Sequence, residues 1–288
     1  MQTYKPFIPH HINATTDHLA GNGGLGRYIF LPGSDGRAKE IAQHFHDVTI
    51  QAHPRGHHLY LGSLTMGTKK IDVATIASGM GCPSMEIILH ELYHLGAKRF
   101  LRVGTAGSLQ PDLVKMGDII NVSAAVRDEG TTIDYVPLAY PAISAFEFNA
   151  PVLHSAKKLG FLHQVHTGIV HCKSSFYARE FGAGPKSQEN KGYIDMLSQC
   201  GVLASEMETA ALFIQSQMYN HQLRSQGQGA KYRVLAGAIL SILAVPPHDF
   251  APPAIARSTI ESLIQLAMET VKTLAQTEVI KASNFVPA

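Results

Sequence analysis

Cysteine is scarce. Cys82, Cys172 and Cys200 are the only three, odd in number and scattered. They form no C-x-x-C pair, which excludes a disulfide framework and a thiolate zinc site and leaves a reducing cytoplasm as the expected compartment. Charge of one sign is lacking too, since 24 basic side chains stand against 22 acidic ones. Neither nucleic acid nor an anionic membrane is therefore an expected partner. Any basic cluster must be local, of the kind that takes a small anion. Long apolar runs are missing: the longest, Val234 to Val245, is too short to span a bilayer. Met1 to His11 holds no apolar segment of a secretory signal. Internal repeats and low-complexity linkers are absent as well. What remains is a chain of 288 residues, 45% hydrophobic, enough for an ample α/β core. The expectation is one domain over 1–288, with an irregular N-terminal segment (1–27) and a C-terminal tail (276–288).

The stretch around which the rest is organised is Phe100-Leu101-Arg102-Val103-Gly104-Thr105-Ala106-Gly107-Ser108. It reads as a short buried strand running into a glycine-broken loop. Gly104 and Gly107 would let the backbone turn and expose N–H groups. Thr105 and Ser108 add hydroxyls and Arg102 a guanidinium fork, the parts of an anion cradle. A second such set is Pro32-Gly33-Ser34-Asp35-Gly36-Arg37, where a strand (Tyr28–Leu31) meets a helix capped by Ser34 or Asp35.

Other glycine and histidine motifs point less far. Gly21-Asn22-Gly23-Gly24-Leu25-Gly26 matches G-x-G-x-x-G by letter but precedes its strand, the wrong order for a dinucleotide fingerprint, and reads as a flexible turn. His53 to His58 is a basic turn containing Arg55. His90-Glu91-Leu92-Tyr93-His94 is a literal H-E-x-x-H. Both histidines lie away from the apolar face formed by Ile88 and Leu92, and no third ligand is identifiable, so solvated histidines and no metal are expected.

In the second half, Lys173 to Pro185 reads as a mobile flap with aromatic residues and a charge pair. Val202 to Ala211 passes from strand to helix. Ser205 and Glu208 fit a capping box there; capping does not account for Glu206. Two carboxylates at a strand end can instead chelate neighbouring sugar hydroxyls. Helices are expected over Pro151–Leu159, Ser187–Gln199 and roughly Ala254–Ala275, with His221 to Lys231 a polar loop and Pro246-Pro247-His248 a break.

Four of these motifs, Pro32 to Arg37, Gly79-Met80-Gly81-Cys82-Pro83-Ser84, Arg102 to Gly107 and Ser205-Glu206-Met207-Glu208, occur in one order and spacing that resembles the nucleoside phosphorylase-I family, most closely its uridine-cleaving members. The resemblance runs from about Tyr28 to the last strand. It implies a three-layer α/β/α sandwich around a central mixed, partly barrel-like sheet, and dimers that share active sites, alone or within hexamers. It implies phosphorolysis of uridine, with inorganic phosphate as co-substrate and no cofactor. By the same resemblance Gly33, Arg37, Arg102 and Thr105 would bind phosphate, with Arg55 completing that site from the neighbouring subunit. Glu206, Met207 and Glu208 would line the ribose pocket, and His11 would reach the ribose of the adjacent protomer. Phe176 would stack near the base, with Arg179 and Gln188 as the polar base contacts. Arg102, Glu208 and Arg179 are the expected catalytic residues.

The chain departs from the family pattern at the base. No glutamine lies close by in the flap. The purine enzymes' Ser-Asp pair after the last strand is Ser241-Ile242 here, with no carboxylate until Asp249. A purine nucleoside phosphorylase, a nucleosidase and a non-catalytic nucleoside sensor are the alternatives on the same scaffold.

Overall fold

A computed structural model describes residues 7–227, 233–246 and 250–284. The elements in order are α1 (Thr16–Leu19), β1 (Tyr28–Leu31), α2 (Asp35–Ala42), β2 (His46–Gln51), β3 (Leu59–Met66), β4 (Lys69–Thr75), α3 (Cys82–His94), β5 (Arg99–Ser108), β6 (Ile119–Asp128), β7 (Ala142–Ile143), α4 (Phe146–Leu159), β8 (Val165–Lys173), α5 (Phe176–Phe181), α6 (Ser187–Gln199), β9 (Ala204–Glu206), α7 (Thr209–Ser225), β10 (Leu235–Ala244) and α8 (Pro253–Asn284). Among the described residues the ten strands form one sheet in the order β10-β6-β8-β9-β5-β1-β4-β3-β2, with β7 beside β6. β10 also pairs with β5, so β5, β10, β6, β8 and β9 close into a ring, from which β1, β4, β3 and β2 extend as an open wing.

The ring is mixed. β10 runs parallel to β5 and antiparallel to β6, and β8 runs parallel to β6 and β9. β10 is apolar except for Ser241 because both of its faces are covered. Met85, Leu92 and Phe213 of α3 and α7 pack on one side; Ile41, Phe148 and Leu263 of α2, α4 and α8 pack on the other. That is the expected α/β/α sandwich with a barrel-like centre. Among the described residues no helix is long and apolar enough to cross a membrane.

Several elements differ from the sequence reading, each for a physical reason. Gly104 and Gly107 are not a turn: both lie within β5, in register with Leu240 and Ala244 of β10. Gly104 is needed for close approach, since a Cβ there would lie 2.8 Å from the Arg102 guanidinium and from Leu240. β2 goes unrecognised in the sequence because it is an exposed edge strand of mostly polar residues. α4 begins five residues ahead of Pro151, which sits inside the helix. The Gly21–Gly26 turn is pinned, its Asn22 amide donating to the carbonyls of Gly26 and Asp72. The polar loop expected from His221 is helical to Ser225 in α7, and residues 228–232 lie outside the described set, as do Pro247, His248 and Asp249. The tail expected from 276 is helical to Asn284, and Glu278 accepts hydrogen bonds from Tyr28 and the buried Arg99.

Candidate active site

The chemistry-bearing residues gather where β5, β9 and the N-terminal ends of α3 and α7 meet. Arg102 is 3% exposed and bends back over Gly104. Its Nε donates to Glu206 Oε2 at 3.1 Å and its Nη2 donates to Glu208 Oε2. Its remaining nitrogen, Nη1, is buried with no partner. Burial alone would lower the Arg102 pKa; the two carboxylates outweigh it and raise it.

The two carboxylates differ in how they are occupied. Glu206 Oε2 accepts from Arg102 and from the backbone N–H of Glu208 and Thr209, and Oε1 accepts from Thr209 again. Glu206 thus caps α7, the role the sequence denied it, and the expected Ser205–Glu208 capping box does not form. Burial pushes the Glu206 carboxyl up, but Arg102 and these N–H donors prevail and hold it below the usual range. Glu208 has fewer donors. Oε1 accepts the Gly81 N–H at 2.6 Å and Oε2 the Arg102 fork. Burial therefore prevails, and its pKa is raised despite Arg102. Each Glu208 oxygen has one protein donor and a second lone pair to offer.

The Gly81 donor is set by backbone conformation. Gly79 (φ 75°) and Gly81 (φ 84°) both adopt the left-handed region. A Cβ on Gly79 would meet Ser84 Oγ at 2.0 Å. Beneath this corner the free thiols of Cys82 and Cys172 lie 3.5 Å apart.

Arg37 is half-buried, and its Nε is buried without a partner. Burial lowers its pKa, Glu40 offsets part of that, and the positive charge of Arg102 adds to the lowering. Arg102 Nη1 and Arg37 Nε are therefore both buried without a partner, on two arginines whose charges act on each other. Gly33 follows β1, whose Leu31 is in register with Arg102; its Cα faces the Gly79 carbonyl. Thr105 is half-buried in β5 beside Ser241. Met207 lies between the two glutamates, half-buried.

Two expected contributors stand apart. Arg55 is exposed on the 53–58 turn. His11 is held by the H-E-x-x-H motif: Glu91 accepts the backbone N–H of His10, His11 and Ile12 and contacts His11 Nδ1 at 2.7 Å. Burial would raise the Glu91 pKa; the His11 ring and the N–H groups override it and lower it. Glu91 lies ten residues beyond Gly81, about 15 Å along α3, so His11 sits well away from Glu208 of its own chain. His94 is exposed, and His90 is half-buried with Nδ1 3.2 Å from the Tyr219 hydroxyl.

The flap is helical where a mobile loop was expected. Arg179 in α5 is tethered: Nη2 and Nε engage Asp128 at 2.9 and 2.8 Å, Nη1 donates to Asn190 at 2.7 Å, and the guanidinium stacks 4.5 Å from the Tyr193 ring. Phe176 is half-buried, against Phe181 and Phe250. Gln188 is exposed on the first turn of α6. A cavity of about 420 Å³ lies between α5, α6 and the end of β6.

Sequence reasoning missed a polar chain beneath this flap. Lys173 donates to Ser205 Oγ at 2.8 Å and pairs with Glu180 at 2.7 Å. The fully buried His171 lies 2.9 Å from Ser205 Oγ through Nδ1 and 2.8 Å from Asp128 through Nε2. The available signal was polar residues two apart, His171 and Lys173, in the buried end of a strand leading into the flap.

Comparison with known proteins agrees with this arrangement. A family model described as the phosphorylase superfamily matches residues 27–225. The chain is 33% identical over 262 residues to a uridine phosphorylase of Treponema pallidum, covering 87% of this chain and 90% of that protein. It is 33% identical over 202 residues to a uridine phosphorylase of Thermococcus kodakarensis, covering 68% of this chain and 70% of the relative. It is 30% identical over 195 residues to a guanosine phosphorylase of Halorubrum lacusprofundi, covering 68% and 74%.

Proposed function

Because the chain belongs to the phosphorylase superfamily, we propose that it cleaves uridine with inorganic phosphate, giving uracil and ribose 1-phosphate. The observation that carries this reading is the Arg102 fork, which binds Glu206 and Glu208 and leaves Nη1 unpartnered, while Arg37, whose charge acts on that of Arg102, has a buried and unpartnered Nε. Phosphate is seated by Arg37, Arg102, Thr105 and the backbone at Gly33, with Arg55 supplied by a second subunit. Guanidinium forks suit a phosphate oxygen pair at neutral pH.

Glu208 accepts the ribose 2′- and 3′-hydroxyls on its two free lone pairs, while Glu206, saturated by its donors, lines the pocket with Met207 and fixes Glu208 in place. A phosphate oxygen then attacks the anomeric carbon as the bond to the base nitrogen breaks, and that electron pair leaves on the base, which takes up a proton. The site accelerates this by positioning the two partners and by charge held ready before the reaction. Phe176 packs on the base. Arg179 contacts it through the two N–H groups not used by Asp128 and Asn190, and Gln188 swings in. His11, anchored by Glu91 away from its own chain's carboxylates, serves the site of an adjacent protomer in a homodimer, alone or within a hexamer. We read 1–288 as one domain of a cytoplasmic enzyme that needs no cofactor.

The test is uracil release from uridine with and without phosphate, with inosine and guanosine alongside. Phosphate-dependent uracil release is expected. Purine release instead leaves the phosphate and ribose reading standing and overturns the base assignment. Uracil release without phosphate points to a nucleosidase, and no cleavage at all points to a sensor.

A further inference from the structure

The polar chain beneath the flap has a direction. A lysine ammonium only donates, so Ser205 Oγ accepts from Lys173. Asp128, ion-paired to Arg179, only accepts, so His171 must carry its proton on Nε2. In the neutral imidazole Nδ1 is then an acceptor, and the one proton left, that of the Ser205 hydroxyl, points to it. The chain reads Lys173 to Ser205 to His171 to Asp128, with Arg179 donating into the far end. Every polar hydrogen between the two cations is used, and no step can reverse without leaving a buried donor unsatisfied.

Both ends of this chain grip α5. Lys173 pairs with Glu180 and Asp128 with Arg179, two adjacent residues on the flap helix. Its middle, Ser205, immediately precedes Glu206 on β9 and is 3% exposed. Lys173 also lies near enough to Glu208 to oppose the rise in that carboxyl's pKa, and its Nζ lies 5.8 Å from the Phe176 ring centre. We infer that Lys173 and Ser205 are positioning residues that lock the flap helix to the ribose carboxylates, so that the base-side and sugar-side halves of the site close as one unit. The inference rests on the nucleoside-cleaving reading for its kinetic arm and on geometry alone for its structural arm.

The test uses the full chain with Lys173→Met, Glu180→Gln, their double variant, and Lys173→Arg. The structural arm is amide hydrogen exchange over 180–183 and 205–209, which needs no substrate. Each single variant is expected to raise exchange in both segments roughly ten-fold, and the double variant no further, because one linkage is broken either way. In the kinetic arm the nucleoside KM rises by a similar factor while the phosphate KM stays within two-fold, and Lys173→Arg restores most of the loss. Additive effects in the double variant, exchange confined to the flap, or an equal rise in both KM values would overturn the inference. Coupled exchange in a protein that releases no uracil would support the linkage and overturn the activity reading alone. Glu180→Gln alters a partly exposed side chain, so the structural arm stays readable if Lys173→Met fails to fold.

Discussion

The two halves of the site are built on different terms. On the sugar side, Arg102, Glu206 and Glu208 are almost wholly out of water, and their geometry is over-determined by strand ends and helix N-termini. On the base side, α5 and the start of α6 are short or exposed, Gln188 stands in solvent, and Arg179 is one quarter exposed. The first half is rigid because leaving any of its charges unpaired would be severe; the second is held by a few ion pairs that can let go. Chemistry common to a nucleoside family belongs in the first, and choice of base in the second.

Substitutions can break or sharpen that contrast. The largest effect is expected from Arg102→Ala. As a loop-edge arginine it would be dispensable for folding; buried between two carboxylates, its loss should remove about 3–5 kcal/mol of stability together with phosphate saturation. A melt unchanged by the substitution would show that the carboxylates find another partner.

Glu208→Gln comes next. Since the Glu208 carboxyl titrates higher folded than unfolded, the native state holds its proton more tightly, and stability falls as pH rises from the ordinary glutamate range through the folded value. The glutamine variant should lose that slope while losing roughly 100-fold in nucleoside kcat/KM, about 2.7 kcal/mol of transition-state stabilisation. Denaturation across pH 4 to 8, beside steady-state kinetics, measures both. An undiminished slope would assign it to another group.

Glu91→Gln should cost less, about 2 kcal/mol. Its pKa is lowered in the folded chain, so its contribution is present above the ordinary range of a glutamate and lost as pH falls through the lower folded value. The variant should lack that acid-side component and show a raised nucleoside KM as His11 is released. Proteolysis near residue 11 that is no faster than in the parent would argue against the anchor.

Smallest is Gln188→Ala, with a stability change within about 0.5 kcal/mol, as for an exposed side chain. A several-fold rise in uridine KM with phosphate KM unchanged is expected; an unaltered uridine KM removes Gln188 from the base site.

How much was legible in the sequence follows the same divide. The phosphate and ribose motifs stood out because glycine, arginine and glutamate cluster at strand ends within a few residues of one another. Their local geometry did not. Gly104 serves a close approach by Arg102 where a turn was expected, and Glu206 caps α7 where Ser205 was expected to. The Asp128–His171–Ser205–Lys173 chain stayed invisible because it joins residues from three strands, separated by 32 to 43 positions in sequence. Nothing local marks such a partner. The role of Glu91 was hidden by a zinc-like motif, since its real partner is 80 residues upstream. Glu278, the anchor that keeps α8 helical past residue 275, meets Arg99 across 179 positions.

The ring closure has a consequence for how the protein comes into being. β5, which carries Arg102, has β10 as one of its neighbours, and β10 ends at Ala244. Every residue proposed for the site precedes Thr209, yet a nascent chain halted there holds a β5 still missing that neighbour and an Arg99 still waiting for Glu278. Contacts so distant in sequence are slow to form and leave strand edges open meanwhile. A chain terminated before β10 would therefore carry all of the proposed site's residues on a β5 that lacks this neighbour, and is expected to leave the Arg102 cradle unassembled.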